Sequence, residues 1–552
     1  MNDARMATYT SDLAARRDCR RYSTRQSVAS AQASHPIHSR MTERSTRRTG
    51  GRAARVAKRT AAPSASERAI RPGPTGGRYA PLSESDLQAT YDAALDLLEN
   101  IGMGSSTPEF ISLVTAEGGF VDDNDRLRFP RALVERIVSE VAVPSFTLHA
   151  LDPDKGMDIG GDRVYFATAG AGVLMLDHET ERFRESTLQD VYDTGRLVDK
   201  LDNIDIYIRT VVARDMVEAR DLDLNWAYAC MVSTSKPIGT SMFEAAHVGE
   251  IAQMYDMVLG GEGEFRKRPF CIANNTFVVP PLRWAEESAL SMAEQARHGF
   301  PITLLSAGQA GATSPAALAG SLAQALAECL AALTCVNLIS PGHPCIMGMW
   351  PFVSDLRTGA MTGGSGEEAV LNAASAQIIN WLGLPSGVAA GMADSKLPDN
   401  QAGHEKALTV SLAAHAGSNV IYEAAGMLAS IMAGSHEALV IDNDMLGAIN
   451  RTVRGIEVTP ETLSTDVIKT VIEGAGHFLG HEQTLSMMQT EYTYPIIGDR
   501  LSPDDWMDAG ATSAKDRAHQ WVTDVLANYR PTHVSPEIDA QIRQAFPIQL
   551  EL

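Results

Sequence analysis

The chain has 552 residues, of which 44% are hydrophobic and 21% are charged, which is enough apolar material for one large core. Its formal net charge is −21, and an acidic body lacks the positive surface that nucleic-acid-binding proteins present. The sequence has no run of 18 apolar residues, so no membrane span is expected.

The charge is unevenly distributed along the chain. Residues 1–79 contain 17 Lys and Arg against 5 Asp and Glu, whereas the remainder contains 30 against 63. Segment 1–71 also has few large apolar residues, so we predict that it is disordered. Two interpretations of this Arg- and Ser-rich segment stay open. One is that the segment is a transit peptide or a nucleic-acid-binding arm. The other is that translation starts at Met41, so that residues 1–40 are not part of the protein.

The cysteines indicate a reducing compartment, because none of them forms a CxxC pair and no disulfide framework is visible. We therefore expect a cytoplasmic protein. The chain also has His343 two residues from Cys345, and His477 four residues from His481. Neither pair is sufficient for a zinc site, so no metal is expected. The six cysteines are at positions 19, 230, 271, 329, 335 and 345.

Region 72–159 is predicted to form a cap on the domain that follows. Apolar residues recur at helical spacing in its segment 87–103; the predicted helix begins after the capping sequence Ser83 to Asp86 and ends at Gly102. A second short helix is predicted after Pro130.

Region 160–454 alternates short apolar runs with helical segments, eight of each. This is the pattern of a (β/α)8 TIM barrel, an α/β fold, and an open doubly wound sheet is the main alternative. No GxGxxG follows the first strand, which weakens a dinucleotide-binding interpretation. The predicted strands are 164–167, 204–212, 237–242, 270–274, 302–306, 345–350, 387–390 and 419–423. The predicted helices are 187–201, 219–232, 244–258, 282–297, 314–337, 367–382, 399–416 and 436–449.

Region 455–552 is predicted to be a C-terminal helical extension with helices near 464–474 and 512–528. We expect it to pack on the barrel and to contribute to a homo-oligomer.

Aromatic and carboxylate side chains recur where the predicted strands end, and in a barrel these positions line the catalytic mouth. Ring faces and carboxylates together suit the binding of an organic cation. Glu423 directly follows the apolar eighth strand, and a buried carboxylate needs a partner or a task. The catalytic candidates are Glu423, Lys396 and Asp394. The substrate-binding candidates are Tyr422, Trp350, Phe352, Asn274, Asn275, Arg209 and Ser306.

Plainer interpretations of these residues stay open. Trp350 and Phe352 are also consistent with ordinary packing under the helices. Lys396 is also consistent with an ion pair to Asp394 or Asp399 on a solvated loop.

Several stretches, in this order and spacing, resemble the corrinoid-dependent trimethylamine methyltransferase family. They are PGPTGGRY at 72–79, LDNID at 201–205, AGATSP at 310–315, DLRTG at 355–359, DSKLPDNQAG at 394–403, AAGML at 424–428 and HFLGH at 477–481. The resemblance covers roughly residues 72–550.

This resemblance implies a TIM barrel that moves a methyl group from a methylated amine to the cobalt of a separate corrinoid protein. It implies no tightly bound cofactor in this chain. The pyrrolysine of the archaeal members is expected to correspond to a position within 386–400, where only standard residues occur. The non-pyrrolysine relatives imply a quaternary amine substrate such as glycine betaine.

Two alternatives of another class stay open. One is a Schiff-base lyase or aldolase that uses Lys396. The other is a non-catalytic barrel that binds quaternary amines.

Overall fold

The structure of the protein is a computed structural model that describes Arg68 and residues 70–552. The predictions of disorder for residues 1–71 and of a start at Met41 therefore fall almost entirely outside the described residues.

Eight parallel strands form the centre of the fold, and each lies beside its neighbour in chain order. The last strand pairs with the first through Val420 and Tyr165. A parallel bridge between Ala167 and Ile206 joins the first strand to the second and closes the sheet. The predicted (β/α)8 barrel is therefore confirmed, and the open-sheet alternative is wrong because the sheet has no free edge. The strands are β1 Tyr165–Phe166, β2 Tyr207–Ile208, β3 Ile238–Thr240, β4 Cys271–Thr276, β5 Ile302–Ser306, β6 Cys345–Met349, β7 Ser386–Ala389 and β8 Val420–Tyr422.

A helix follows each strand and packs on the outside of the barrel. The helices are α1 Leu188–Asp199, α2 Ala219–Ser233, α3 Ala245–Leu259, α4 Glu286–His298, α5 Leu318–Ile339, α6 Gly366–Trp381, α7 Asn400–Ala416 and α8 His436–Arg454. Among the described residues, only α5 is long and apolar enough to cross a membrane, and 89% of its most apolar window is buried inside the fold. The composition of α5 therefore reflects its place in the core of the helix layer.

The strands are buried on both faces, which explains their continuous apolar character. Alternate residues point into the barrel, where Ile208, Ile272 and Ile346 belong to one interior cluster. The other set, such as Ile302 and Leu304, packs against the helices in a separate and larger cluster.

The N-terminal region contacts the barrel in two places. Helices Glu84–Asn100 and Pro108–Ala116 pack against α5 on the outside. A hairpin of Ser145–Leu148 and Met157–Gly160 adds apolar side chains to the interior cluster. The hairpin is bonded to residues that precede β3 and β4, so it lies at the amino-terminal end of the barrel. The short helix predicted after Pro130 spans Arg131–Arg136 and continues as one wider turn, Ile137–Val141.

Two small sheets lie over the opposite, carboxyl-terminal end. One is formed by Gln309–Ala310, Phe352–Ser354 and Met361–Thr362. The other is formed by Leu174–Leu176, Phe183–Glu185, Met427–Leu428 and Ala433–Ser435. Their strands come from the loops that follow β1, β5, β6 and β8, so the mouth of the barrel is roofed by ordered backbone.

The C-terminal region is helical, as predicted. Its helix Ala514–Asn528 packs against α8 and α1, and Arg196 of α1 donates hydrogen bonds to the carbonyls of Leu526 and Tyr529. His477 and His481 do not share a helix, because His481 caps the start of Glu482–Met487 and accepts a hydrogen bond from the Gln483 amide. The helices of this region are Thr465–Glu473, Glu482–Met487, Pro503–Asp508, Ala514–Asn528 and Pro536–Ala545.

Candidate active site at the barrel mouth

Glu423 directly follows β8 at the carboxyl end of the barrel. Its backbone is left-handed, with φ 60°, a conformation that an ordinary residue holds only when the surroundings enforce it. The side chain is fully buried, and neither carboxyl oxygen has a hydrogen-bond partner within the described chain. Burial raises the pKa of Glu423 to about 8, and the nearby charge of Arg209 opposes the shift only partly. Such a group is poised to interact with a ligand.

The aromatic rings of Trp350, Phe352 and Tyr422 belong to the interior cluster of the barrel. The ring centroids of Trp350 and Tyr422 are 5.1 Å apart, and those of Trp350 and Phe352 are 6.4 Å apart. The Tyr422 hydroxyl lies 2.7 Å from the Thr303 hydroxyl, so its polar end is satisfied. The indole nitrogen of Trp350 is buried and has no partner within the described chain. The rings therefore offer apolar faces and one N–H donor to the mouth.

Asp394 holds the loop after β7 in place. Its Oδ1 accepts hydrogen bonds from the Gly363 amide at 2.7 Å and from the Ser430 hydroxyl at 2.6 Å. Its own amide donates to Glu405 Oε2 at 2.8 Å. Lys396 is exposed, and its Nζ donates to the Asp394 carbonyl at 2.6 Å. Lys396 therefore lies on a solvated loop, as in the plainer interpretation, but its partner there is the backbone carbonyl of Asp394 and not a carboxylate.

Arg209 and Asn274 lie at the ends of β2 and β4. Arg209 donates to the Gly170 carbonyl at 2.7 Å and to the Ser241 hydroxyl at 2.6 Å, and its guanidinium lies over the Trp226 ring, 4.2 Å from the centroid. Burial lowers its pKa to about 10. The Asn274 side chain has a buried oxygen without a partner within the described chain. Asn274 shares the inward face of β4 with Ile272, so this oxygen faces the barrel interior.

The side chains of two predicted site residues, Asn275 and Ser306, point away from the barrel interior. The Asn275 amide exchanges hydrogen bonds with the Met242 backbone and accepts one from Gln295 of α4. Ser306 donates to the buried Glu328 of α5. The alternation of side chains along a strand directs both residues into the helix layer, which corrects the substrate-binding role predicted for them.

Glu368, in the first turn of α6, was not predicted from the sequence. It is 1% exposed, and neither of its carboxyl oxygens has a partner within the described chain. Burial raises its pKa well above the usual range, and the charges of Glu423 and Asp394 add to the effect. In the sequence it stands beside the exposed Glu367, and acids in a first helical turn are ordinary. Nothing in the sequence distinguishes the buried Glu368 from the exposed Glu367.

Comparison with known proteins identifies the family of this chain. The family model of trimethylamine methyltransferase (MTTB) matches residues 48–548. The chain belongs to the trimethylamine methyltransferase family. It is 33% identical to a trimethylamine methyltransferase from Desulfitobacterium hafniense over 469 residues, which cover 85% of this chain and 93% of the relative. It is 30% identical to a glycine betaine methyltransferase from the same species, over 86% of this chain and 97% of the relative.

A solved structure of similar architecture is the monomethylamine methyltransferase of Methanosarcina barkeri. Its TM-score is 0.49 and its identity 11%, over 81% of this chain and 89% of that one. The family match, which spans most of the chain, confirms the predicted resemblance and makes this protein a methyltransferase.

Proposed function

We propose that this methyltransferase moves a methyl group from a quaternary methylated amine to the Co(I) of a corrinoid carried by a separate protein. The observation that carries the proposal is Glu423, a fully buried carboxyl group without a hydrogen-bond partner in the described chain, at the catalytic end of the barrel. A buried carboxylate of this kind is stabilised by a bound cation, and a quaternary ammonium supplies one at every pH.

The chemistry places few demands on acid–base groups. The bond between the methyl carbon and nitrogen breaks with both electrons going to nitrogen, so a neutral tertiary amine leaves. The electron pair that forms the new bond to the methyl carbon comes from Co(I), which is a substrate of the reaction. No proton transfer is required, so the protein has to orient the cation and exclude water.

The residues of the mouth fit this task. The Glu423 carboxylate offsets the positive charge of the substrate, and the ring faces of Trp350 and Phe352 accept its methyl groups. The Asn274 oxygen, which has no partner among the described residues, adds a second acceptor. These groups come from β4, β8 and the end of β6, so the closed barrel fixes their mutual geometry.

The competing Schiff-base mechanism is disfavoured by the position of Lys396. A nucleophilic lysine has to be buried near the substrate and neutral at working pH. Lys396 is exposed and donates to a backbone carbonyl.

The test is a methyl-transfer assay with a corrinoid protein reduced to Co(I) and followed by its absorbance. Tetramethylammonium, choline, glycine betaine and trimethylamine are offered separately, and a reaction without amine serves as the blank. We expect methylation of cobalt with at least one quaternary amine and its loss in Glu423→Gln. A folded protein that methylates cobalt with none of them contradicts the proposal.

A further inference from the structure

Glu368 gives the mouth a second buried acid with the same properties as Glu423. The two side chains are 1% and 0% exposed, and all four of their carboxyl oxygens lack a partner within the described chain. Buried polar atoms in proteins are nearly always hydrogen-bonded, so two such carboxyl groups in one region need an explanation.

Both acids belong to the same mouth. The charges of Glu423 and Asp394 both act on Glu368. Asp394 is bonded to the Gly363 amide, two residues before Ser365, whose hydroxyl caps α6 by accepting from the Glu368 amide at 3.2 Å. The first turn of α6 is thus tied to the loop after β7, where the charge of Glu423 at the end of β8 reaches Glu368.

The positive groups near this pair are already engaged. Arg209 uses two nitrogens on Gly170 and Ser241 and has only Nε without a partner. The same guanidinium packs on the Trp226 ring, 4.2 Å from its centroid, so these contacts together fix its orientation. Lys396 is on the surface, and Lys406 is paired with Asp442. Among the described residues near the mouth, acidic groups are therefore in excess, and each of these three cations is either engaged by other groups or on the surface.

We propose that Glu368 and Glu423 together bind the ammonium group of the substrate and select a permanent organic cation that carries no carboxylate. The inference rests on the proposed function and narrows its substrate class to choline-like amines rather than betaines. Burial favours the protonated form of both carboxyl groups when no cation is bound; the charge of Asp394 adds to this at Glu368, and the charge of Arg209 opposes it at Glu423. The cation replaces a proton, which passes to the buffer, so binding strengthens as the pH rises.

The experiment is calorimetric titration at pH 7 in two buffers of different ionisation enthalpy, which counts the protons released. Tetramethylammonium and choline are the probes, and 3,3-dimethyl-1-butanol is the neutral isostere of choline. Glycine betaine tests the carboxylate. We expect both cations to bind with release of about one proton, and the isostere and glycine betaine to bind at least about 30-fold more weakly than choline.

Glu368→Gln is the decisive variant and Glu367→Gln, which changes the exposed neighbour, is its matched control. We expect Glu368→Gln to weaken choline binding by about 30-fold and to lower the proton count, with the melting temperature maintained and the control unchanged. The inference is overturned if neither cation binds, if the isostere or glycine betaine binds as tightly as choline, or if both variants behave alike. No corrinoid protein is used, so cation binding without methyl transfer would contradict only the proposed function.

Discussion

Lys406 and Asp442 form a buried ion pair that joins α7 to α8, with Nζ 2.5 Å from Oδ2. The same carboxylate accepts a hydrogen bond from the Gly426 amide at 2.8 Å. Gly426 lies three residues after Glu423, in the loop that leaves the barrel mouth. One buried contact therefore fixes two outer helices and the backbone that holds the candidate cation-binding acid.

Removal of Lys406 should be strongly destabilising. Lys406→Met leaves Asp442 as an unpaired buried acid, and we expect the free energy of unfolding to fall by about 3–5 kcal/mol. Lys406→Met/Asp442→Asn should recover part of this loss, because the charge is removed while an oxygen is kept for Gly426. Lys469→Met, on an exposed face, is the control and should change stability by less than about 0.5 kcal/mol. Denaturant unfolding measures all three, and equal stabilities would contradict the role given to the pair.

Glu423→Gln tests the cation contact directly, since it keeps the shape and removes the charge. If Glu423 contacts the substrate cation, the variant should lose about 2–3 kcal/mol of transition-state stabilisation, roughly 30- to 150-fold in kcat/KM. Its Tm should stay the same or rise, because a buried acid without a partner has been removed. A purely structural carboxylate predicts the reverse: a lower Tm with the activity of the folded fraction intact. Both quantities are measured on one preparation.

The pH dependence of stability should also report on the raised pKa of Glu423. The pKa of Glu423 is about 8 in the folded protein against 4.5 as its ordinary value, so the folded state binds the proton more tightly. Stability should therefore fall as pH rises from 4.5 to about 8, by at most on the order of 5 kcal/mol from this group. Glu423→Gln should flatten the slope, and Glu367→Gln should leave it unchanged. A Tm that rises across this window in the wild type, and equally in Glu423→Gln, would rule out the raised pKa.

Lys396 separates the methyltransferase mechanism from the Schiff-base mechanism. Lys396→Met should retain methyl transfer within about threefold, because its ammonium contacts only a backbone carbonyl on the surface. Borohydride added with substrate should leave the mass of the wild-type protein unchanged. A covalent adduct at Lys396, or complete inactivity of the variant, would favour the lyase.

The barrel could be predicted from the sequence because its signals are local. Strand β5 was predicted at 302–306 and lies at Ile302–Ser306, and α2 was predicted at 219–232 and lies at Ala219–Ser233. Short apolar runs followed by helical periodicity need no knowledge of distant contacts. The family resemblance was likewise carried by short motifs, and it agrees with the match over residues 48–548.

The site residues remain predictions. Glu423 was chosen because an acid directly after an apolar strand is conspicuous, and the structure describes it as buried. Asn275 and Ser306 were misplaced because the direction of a side chain depends on the pleat register, and a shift of one residue exchanges the barrel interior for the helix layer. Asn274 and Asn275 are adjacent in the sequence, yet only the backbone geometry of β4 decides which of them faces the mouth.

The sequence by itself determined eight strands and eight helices, because these depend on periodicity along the chain, and it indicated the chemical family through the resemblance of its short motifs. Only the tertiary structure decided that Glu368 and Glu423 are both buried without partners within the described chain, and that the charge of Glu423 reaches Glu368, while Glu367 is exposed. The two acids are 55 positions apart in the sequence, so their burial and this charge interaction arise only when the barrel closes and the helices pack around it.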